Sequence, residues 1–494
     1  MGLLEVVNPM RRALASQTWP PRSQEAVWDE IELLGALRSS DDTTLRMREG
    51  VAWNYPYLIT PVPRMLSRTS ANLLFGQEVE LGDDADADAV GVETIYEEND
   101  LSSELIRGAL VSSSEGEVWG RVLVRPDLLD YPIIDFCSRD RVIPEFSGRF
   151  LVAATFVTEW YEGSQTVFRL LERHSAGRVE HTLYRGTSIS IGTTQLLDSY
   201  GPTTGMQDVV ETGIPYPLVE FIPNTIDADP TRGFSDYRGL EGRFLALNRE
   251  TTVGHSNVML TGKKRALIEG RFAGRLSQDD TMLIRSADDA MAGTPGNRPL
   301  EVLEFGFEAQ QLVTWIDHMI DTSIVMAGLA PQLVGRSVDG GAISGTALRL
   351  KVAHALIEAS GKGRHFDGAM RSLLRMAKML DKSAFGRRYR DVTSLPQFER
   401  GDMLPHDDME AAQRLVLLTN ANAISLVEKV RAANPDWDQA QIDAEVAAIG
   451  ATSVGANGSV VPVSTVQTFP GGEQVPQATL DLPPGGPTPG QPAS

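Results

Sequence analysis

Gly328-Leu-Ala-Pro-Gln-Leu-Val-Gly335 and Ser344-Gly-Thr-Ala-Leu348 bracket the stretch that decides how this chain reads. An apolar helix ends before the first segment. The loop Arg336-Ser337-Val-Asp-Gly340-Gly341 separates the two, and a long basic helix restarts from Ser344. Serine is a favoured helix N-cap, because its hydroxyl accepts a hydrogen bond from an otherwise unpaired backbone N–H. Glycines free the loop backbone. No residue set in the loop looks able to break a covalent bond. The segment is built to place a loop, not to do chemistry.

Upstream, Leu312, Trp315, Ile316, Met319, Ile320 and Ile324 recur at helical spacing, while Asp317 and Asp321 stay polar. Before this helix, Lys263-Lys264-Arg265 opens a small β-rich insert with strands predicted at 266–272, 281–285 and 301–305 and a turn at Thr294-Pro-Gly-Asn297. A helix is predicted over 233–260, with Leu240, Phe244 and Leu247 on one face; Gly239, Gly242 and Gly254 weaken it. Two helices therefore bracket a β module. Downstream, Ala347, Leu348, Val352, Ala355, Leu356 and Ala359 line one face of a helix running to about Lys382. A kink is predicted at Gly361 and Gly363. Arg349, Lys351, Lys362, Arg364, Arg371, Arg375 and Lys378 are assigned to its other sides.

Residues 1–116 read as mostly helical, with Trp28, Ile31, Leu34 and Leu37 in one helix and Val62, Met65, Leu66 and Leu73 in another. Further helices are predicted at 90–98 and 103–113, the latter opened by Ser102-Ser103. Stretches 118–125, 149–161, 165–174 and 178–185 are rich in Val, Phe, Tyr and Thr, separated by turn signals; they read as an antiparallel meander ended by Pro215, Pro217 and Pro223. A short strand near 394–398 precedes three helices. Asp407 with Glu410, and Ser425 with Glu428, have capping-box spacing. Beyond Gly450 the composition predicts a disordered tail.

At 494 residues the chain has room for several structural units, and 42% apolar residues suit a soluble globular protein. One cysteine, Cys137, excludes an intrachain disulfide and fits a reducing cytosol. No signal peptide is expected, and no apolar run approaches the roughly 20 residues of a membrane helix. The net charge of −21 argues against a surface that grips DNA phosphates on average.

Catalytic signatures are near misses. Gly262-Lys263-Lys264 ends like a phosphate loop, but Asn257 replaces the first glycine and Lys264 the magnesium-binding hydroxyl residue. Gly341-Ala-Ile-Ser344-Gly345 sets its serine one place late for a nucleophile elbow. The run Gly82-Asp-Asp-Ala-Asp-Ala-Asp88 lacks the turn glycine and final glutamate of a calcium loop. The seven histidines include no H-x-x-x-H pair, so no catalytic residue, metal or cofactor is assigned. Lys263, Lys264 and Arg265 with Arg271 and Arg275 suit either phosphate or an intersubunit salt-bridge surface.

The order of these segments resembles the portal protein (head–tail connector) family of tailed bacteriophages. The resemblance is carried by Asn72-Leu-Leu-Phe-Gly-Gln-Glu78, Asn99-Asp-Leu101, Glu115-Gly-Glu-Val-Trp-Gly-Arg-Val122, Ile343-Ser-Gly-Thr-Ala-Leu348 with its long helix, and Met403-Leu-Pro-His-Asp407. It spans about residues 20–450. It implies a mainly helical α+β fold assembled as a ring, generally a dodecamer. The wing would be 1–235 and 345–405, the stem 236–262 and 307–329, the clip 263–306, the tunnel loop 330–344 and the crown 406–450. Gly335, Arg336, Ser337, Gly340 and Gly341 would face DNA in the tunnel loop. Asp317 and Asp321 would line the stem, and Lys263, Lys264, Arg265, Arg271 and Arg275 would meet partners at the clip. Implied partners are further copies of the chain, double-stranded DNA in transit, the terminase large subunit, the major capsid protein and a head-completion or adaptor protein. The implied location is the virion's portal vertex, reached through the host cytoplasm, with no membrane.

The charge suits that expectation. Twelve copies at −21 sum to about −250 formal charges, enough to keep much of a lumen repulsive to DNA. Two other classes stay open: a multimeric virion or adaptor protein without a channel, and a carboxylate-dependent hydrolase built on the β-rich region.

Overall fold

Turn and period signals place most elements where the sequence predicts them. The computed structural model describes residues 17–50, 56–82, 91–261, 265–269, 282–285, 301–303, 309–336, 345–389, 391–401, 408–421, 423–434, 437 and 439–453. Two compact units divide between Asp407 and Asp408.

The first unit opens with α1 (Arg22–Ser39), α2 (Asp42–Glu49), α3 (Val62–Phe75), β1 (Val79–Gly82), α4 (Val92–Glu98) and α5 (Leu101–Glu115). Asp41 caps α2 by accepting from the Thr43 N–H, and Pro63 sits in the first turn of α3, where no intrahelical donor is missed. Helix α5 starts two residues before the predicted Ser103. Its N-cap is Asp100, and Ser102 Oγ donates to that carboxylate at 3.2 Å rather than capping the helix.

Strands β2 (Glu117–Leu123), β3 (Ile133–Cys137) and β10 (Val219–Pro223) form an antiparallel sheet in the order β10-β2-β3. Pro223 therefore belongs to a strand, and β10 lies at the edge of its sheet, where a residue without an N–H is tolerated. Strands β4 (Val142–Ser147), β5 (Phe150–Glu162), β6 (Thr166–Ser175), β7 (Arg178–Thr187) and β8 (Ser190–Gln195) form an antiparallel meander in chain order, and β9 (Val209–Glu211) pairs with β7. Three of the four predicted strands, 149–161, 165–174 and 178–185, belong to it; the fourth, 118–125, does not, because β2 pairs with β3 and β10 in the other sheet. Gly163 (φ 69°) and Gly177 (φ 83°) turn its two long hairpins.

Period-two alternation lets β2 serve two layers. Val118 and Val122 face the helices; Trp119 faces the meander beside Phe146, Phe156 and Phe221. The helical layer is led by α8 (Gly345–Phe385), whose Phe366 meets Phe75 of α3 edge-on at 5.2 Å. An added Cβ at Gly120 would lie 2.6 Å from Leu373 Cδ1, so this glycine admits α8 against the sheet. Fully burying a side chain such as Phe366 contributes roughly 1.5–3 kcal/mol.

Helix α6 (Glu241–Thr261) and helix α7 (Ala309–Met326) pack together and bracket β11 (Arg265–Glu269), β12 (Met282–Arg285) and β13 (Glu301–Leu303). Strand β11 is central, parallel to β12 and antiparallel to β13. The glycines that weaken α6 as a sequence do not break it. Gly239 precedes the helix with φ 78°, and a Cβ at Gly254 would lie 2.3 Å from Leu312 Cδ2 of α7. Gly254 is a contact point between helices.

Helix α8 likewise runs unbroken through the predicted kink. Gly363 is a notch: an added Cβ there would sit 2.0 Å from Cζ of Arg400 on β14 (Gln397–Arg400), whose Nε donates to Asp367 at 2.7 Å. The basic residues of α8 are not all on its outer sides. Lys362 is buried against Asp236, and Lys378 is buried beside the Asp391 carbonyl and Ser394. Strand β14 pairs antiparallel with β1.

The second unit contains α9 (Asp408–Asn420), α10 (Leu426–Ala433) and α11 (Gln439–Ser453). Ser425 caps α10 as predicted, accepting from the Glu428 N–H at 3.2 Å. The Asp407 cap, the acidic run at 83–88, and the segment from 454 onward lie outside the described residues.

Candidate functional site

Helix α7 buries Met319, Ser323 and Ile324 and leaves Asp317 and Asp321 outward. Its end is a double-hydrogen-bonded glycine turn. Gly328 takes φ 76°, its N–H donates to the Val325 carbonyl, and the Leu329 N–H donates to that of Ile324. Leu329 and Ile324 are both buried, which supplies the usual apolar contact of this cap. A short 3₁₀ turn, Pro331–Val334, follows. Gly335 then takes φ 74°, and the Arg336 N–H donates to the Pro331 carbonyl at 2.9 Å.

These two glycine turns fold the chain back along its own helix. Arg336 Nε lies 2.5 Å from Asp321 Oδ1, and Nη2 lies 2.9 Å from Asp317 Oδ1. The two carboxylates stand four residues apart on one face of α7, so one planar guanidinium spans both. The Asp317 hydrogen bond, followed by that of Asp321, pushes the Arg336 guanidinium above its already high ordinary value. Arg336 is half-exposed, and each such pair contributes only about 0.2–1 kcal/mol. The fork is a weak, salt-sensitive clasp at the base of the loop.

Three of the sequence-predicted site residues are thus brought together: Asp317, Asp321 and Arg336, with Gly335 as the hinge that turns Arg336 inward. Ser337, Gly340, Gly341, Lys263, Lys264, Arg271 and Arg275 lie outside the described residues. Only the backbone of Arg265 is described, on β11 opposite Leu303.

A second polar cluster escaped sequence reasoning. A cleft of about 1240 Å³ lies between the β2–β3 face and the meander. On its wall Glu172 meets Arg121 Nη1 at 2.9 Å and His174 Nε2 at 2.6 Å, with His181 Nε2 at 3.6 Å. Arg121 also pairs with Asp135 at 2.9 Å. Burial alone would raise the Glu172 carboxyl; hydrogen bonds from both histidines and the Arg121 charge hold it well below the usual range. Burial opposes protonation of His181, but Glu172 raises it above its ordinary value. His174 meets Glu172 along β6 itself, while Arg121 on β2 reaches Glu172 on β6 and so braces the two sheets together. Burial pushes the nearby Cys137 thiol up to about 12, leaving it a poor nucleophile. Among the described residues, no group of three or more His, Cys, Asp or Glu can hold a metal ion, and no helix is long and apolar enough to cross a membrane. The only sequence signal for the cluster was alternation in β6 and β7, which does not reveal that Arg121 from another sheet completes it.

No family model and no curated protein matches this chain. Among solved structures it is similar to a chain of "Neck of native GTA particle computed with C12 symmetry", at 13% identity and TM-score 0.40, covering 79% of this chain and 92% of that one. It is also similar to a chain of "Neck of empty GTA particle computed with C6 symmetry", at 13% identity and TM-score 0.43, covering 85% and 96%. A chain of "Virion of native gene transfer agent (GTA) particle" gives 13% identity and TM-score 0.42 over the same shares.

Proposed function

We propose that the chain is a portal-type subunit: identical copies close a ring around a channel through which double-stranded DNA passes, and the ring docks packaging and head-completion proteins. One observation carries this reading. The helix pair α6 and α7 brackets a three-stranded β cap, and the return helix leads through two glycine turns into Arg336 and the long α8. That order is the one the sequence resemblance implies for stem, clip, tunnel loop and wing helix.

The clasp suits a conduit. A channel must not hold phosphate tightly, because each lysine or arginine contact adds salt-dependent affinity. Here the cation that enters the loop is shared by two carboxylates of its own subunit. DNA competes with them for it, which keeps any contact weak. The chain works without catalysis of its own, and the packaging ATPase is a separate polypeptide, the terminase large subunit. The major capsid protein and an adaptor complete the vertex.

Electron microscopy of the purified chain, with its mass measured in solution, tests this. The expected particle is a ring with a central hole wide enough for duplex DNA. A compact monomer, or a solid assembly without a hole, refutes the proposal. Deleting 336–341 is expected to leave rings intact while DNA filling of capsids fails; normal filling refutes the loop's role.

A further inference from the structure

Helix α8 has two faces of opposite character. Val352, Ala355, Ala359 and Phe366 are buried on one. The opposite face reads Leu350, His354, Ile357, Gly361, Arg364, Gly368, at alternating spacings of four and three that keep one line along a helix. Leu350 is 75% exposed and Ile357 70%. A Cβ added at Gly361 or Gly368 would meet no atom within 4 Å. Glycine inside a helix costs roughly 1 kcal/mol relative to alanine. Nothing among the described residues requires it at these two positions, unlike Gly363, two residues beyond Gly361.

We propose that this line is a seam on which a second copy of the chain seats. Its backbone comes close at Gly361 and Gly368, and Leu350 and Ile357 enter the gaps beside it. The seam rests on the ring reading above and specifies which surface closes the ring. Charge selects the occupant. The titratable members of the seam, His354 and Arg364, are basic, whereas the chain carries 66 acidic against 45 basic residues. An identical copy therefore offers carboxylate surface in abundance. Pairing the seam with itself about a two-fold axis would set Arg364 against His354, so the contact joins unlike surfaces, the type that generates rings.

The test compares full-length wild type with Ile357→Glu and with Gly361→Ala/Gly368→Ala, by native mass spectrometry and negative-stain microscopy. Rings are expected from the wild type. Ile357→Glu, which alters an exposed side chain, is expected to keep the same circular dichroism yet stay monomeric. The double alanine variant is expected to melt no lower than wild type while needing a roughly tenfold or higher concentration to assemble, equivalent to about 1.4 kcal/mol of lost contact. Wild-type rings with unchanged assembly of Ile357→Glu overturn the seam and leave the ring reading standing. A monomeric wild type overturns both. A wild type that stays monomeric alone but binds a different protein through Ile357 overturns the second-copy assignment.

Discussion

Replacing Lys362 by methionine is expected to be among the most costly single changes in the helical layer. Lys362 Nζ lies 2.7 Å from both carboxylate oxygens of Asp236, and the two side chains are only 6% and 7% exposed. Ser70 Oγ, at 3.0 Å, adds a third partner. Asp236 also accepts from Ser113 Oγ and Asn224 Nδ2, each at 2.7 Å. The pair thus ties α8 to α3, α5 and the segment before α6. Methionine keeps the apolar stem but removes the ammonium. Asp236 is then left buried with neutral donors alone. Removing one member of a buried pair costs about 3–5 kcal/mol, because the remaining charge keeps its desolvation penalty. The Ser113 and Asn224 bonds place the expected loss near the lower end, about 3 kcal/mol. Adding Asp236→Asn should recover most of it, since the uncompensated charge disappears. The assay is urea unfolding followed by tryptophan fluorescence, for which the fully buried Trp119 is a natural reporter. A loss below about 1 kcal/mol for Lys362→Met, or no recovery in the double variant, would refute the account of a stranded carboxylate.

Two further outcomes are expected. A double-mutant cycle of Arg336→Ala with Asp317→Asn/Asp321→Asn should give a coupling of about 0.5–1 kcal/mol at low salt that fades toward 1 M salt, where the screening length is about 3 Å; zero coupling at low salt removes the clasp. Burial pushes the Glu220 carboxyl from 4.5 up to about 7, with Ser372 and Arg375 opposing only in part. Between those values the folded chain binds more protons than the unfolded chain, so this residue makes stability fall as pH rises through that window. Glu220→Gln should match wild type near about pH 4.5 and exceed it by about 1–3 kcal/mol at about pH 8. Parallel stability curves for the two proteins would contradict the shift.

Much of the architecture was legible because local periodicity reports which face of an element is buried. The two long hairpins β5–β6–β7, the α7 stripe and the β insert between two helices follow from spacing and turn residues alone; that 118–125 leaves the meander for another sheet does not. Strands β1, β3, β4, β8, β9 and β10 were missed; they are short or lack strong alternation, and the partners that several of them pair with are distant in sequence.

Sequence by itself determined the order of the longer helices and strands and the presence of a glycine-rich loop carrying one arginine. Tertiary structure alone decided what the polar and small residues do. Arg336 finds Asp317 and Asp321 only because Gly328 and Gly335 reverse the chain, and Lys362 is internal only because Asp236 meets it there. Gly254 and Gly363 read as helix breakers but serve as contact notches. Propensity is a property of one segment. Charge pairing and close approach belong to two segments at once, and their partner is chosen only when the elements pack.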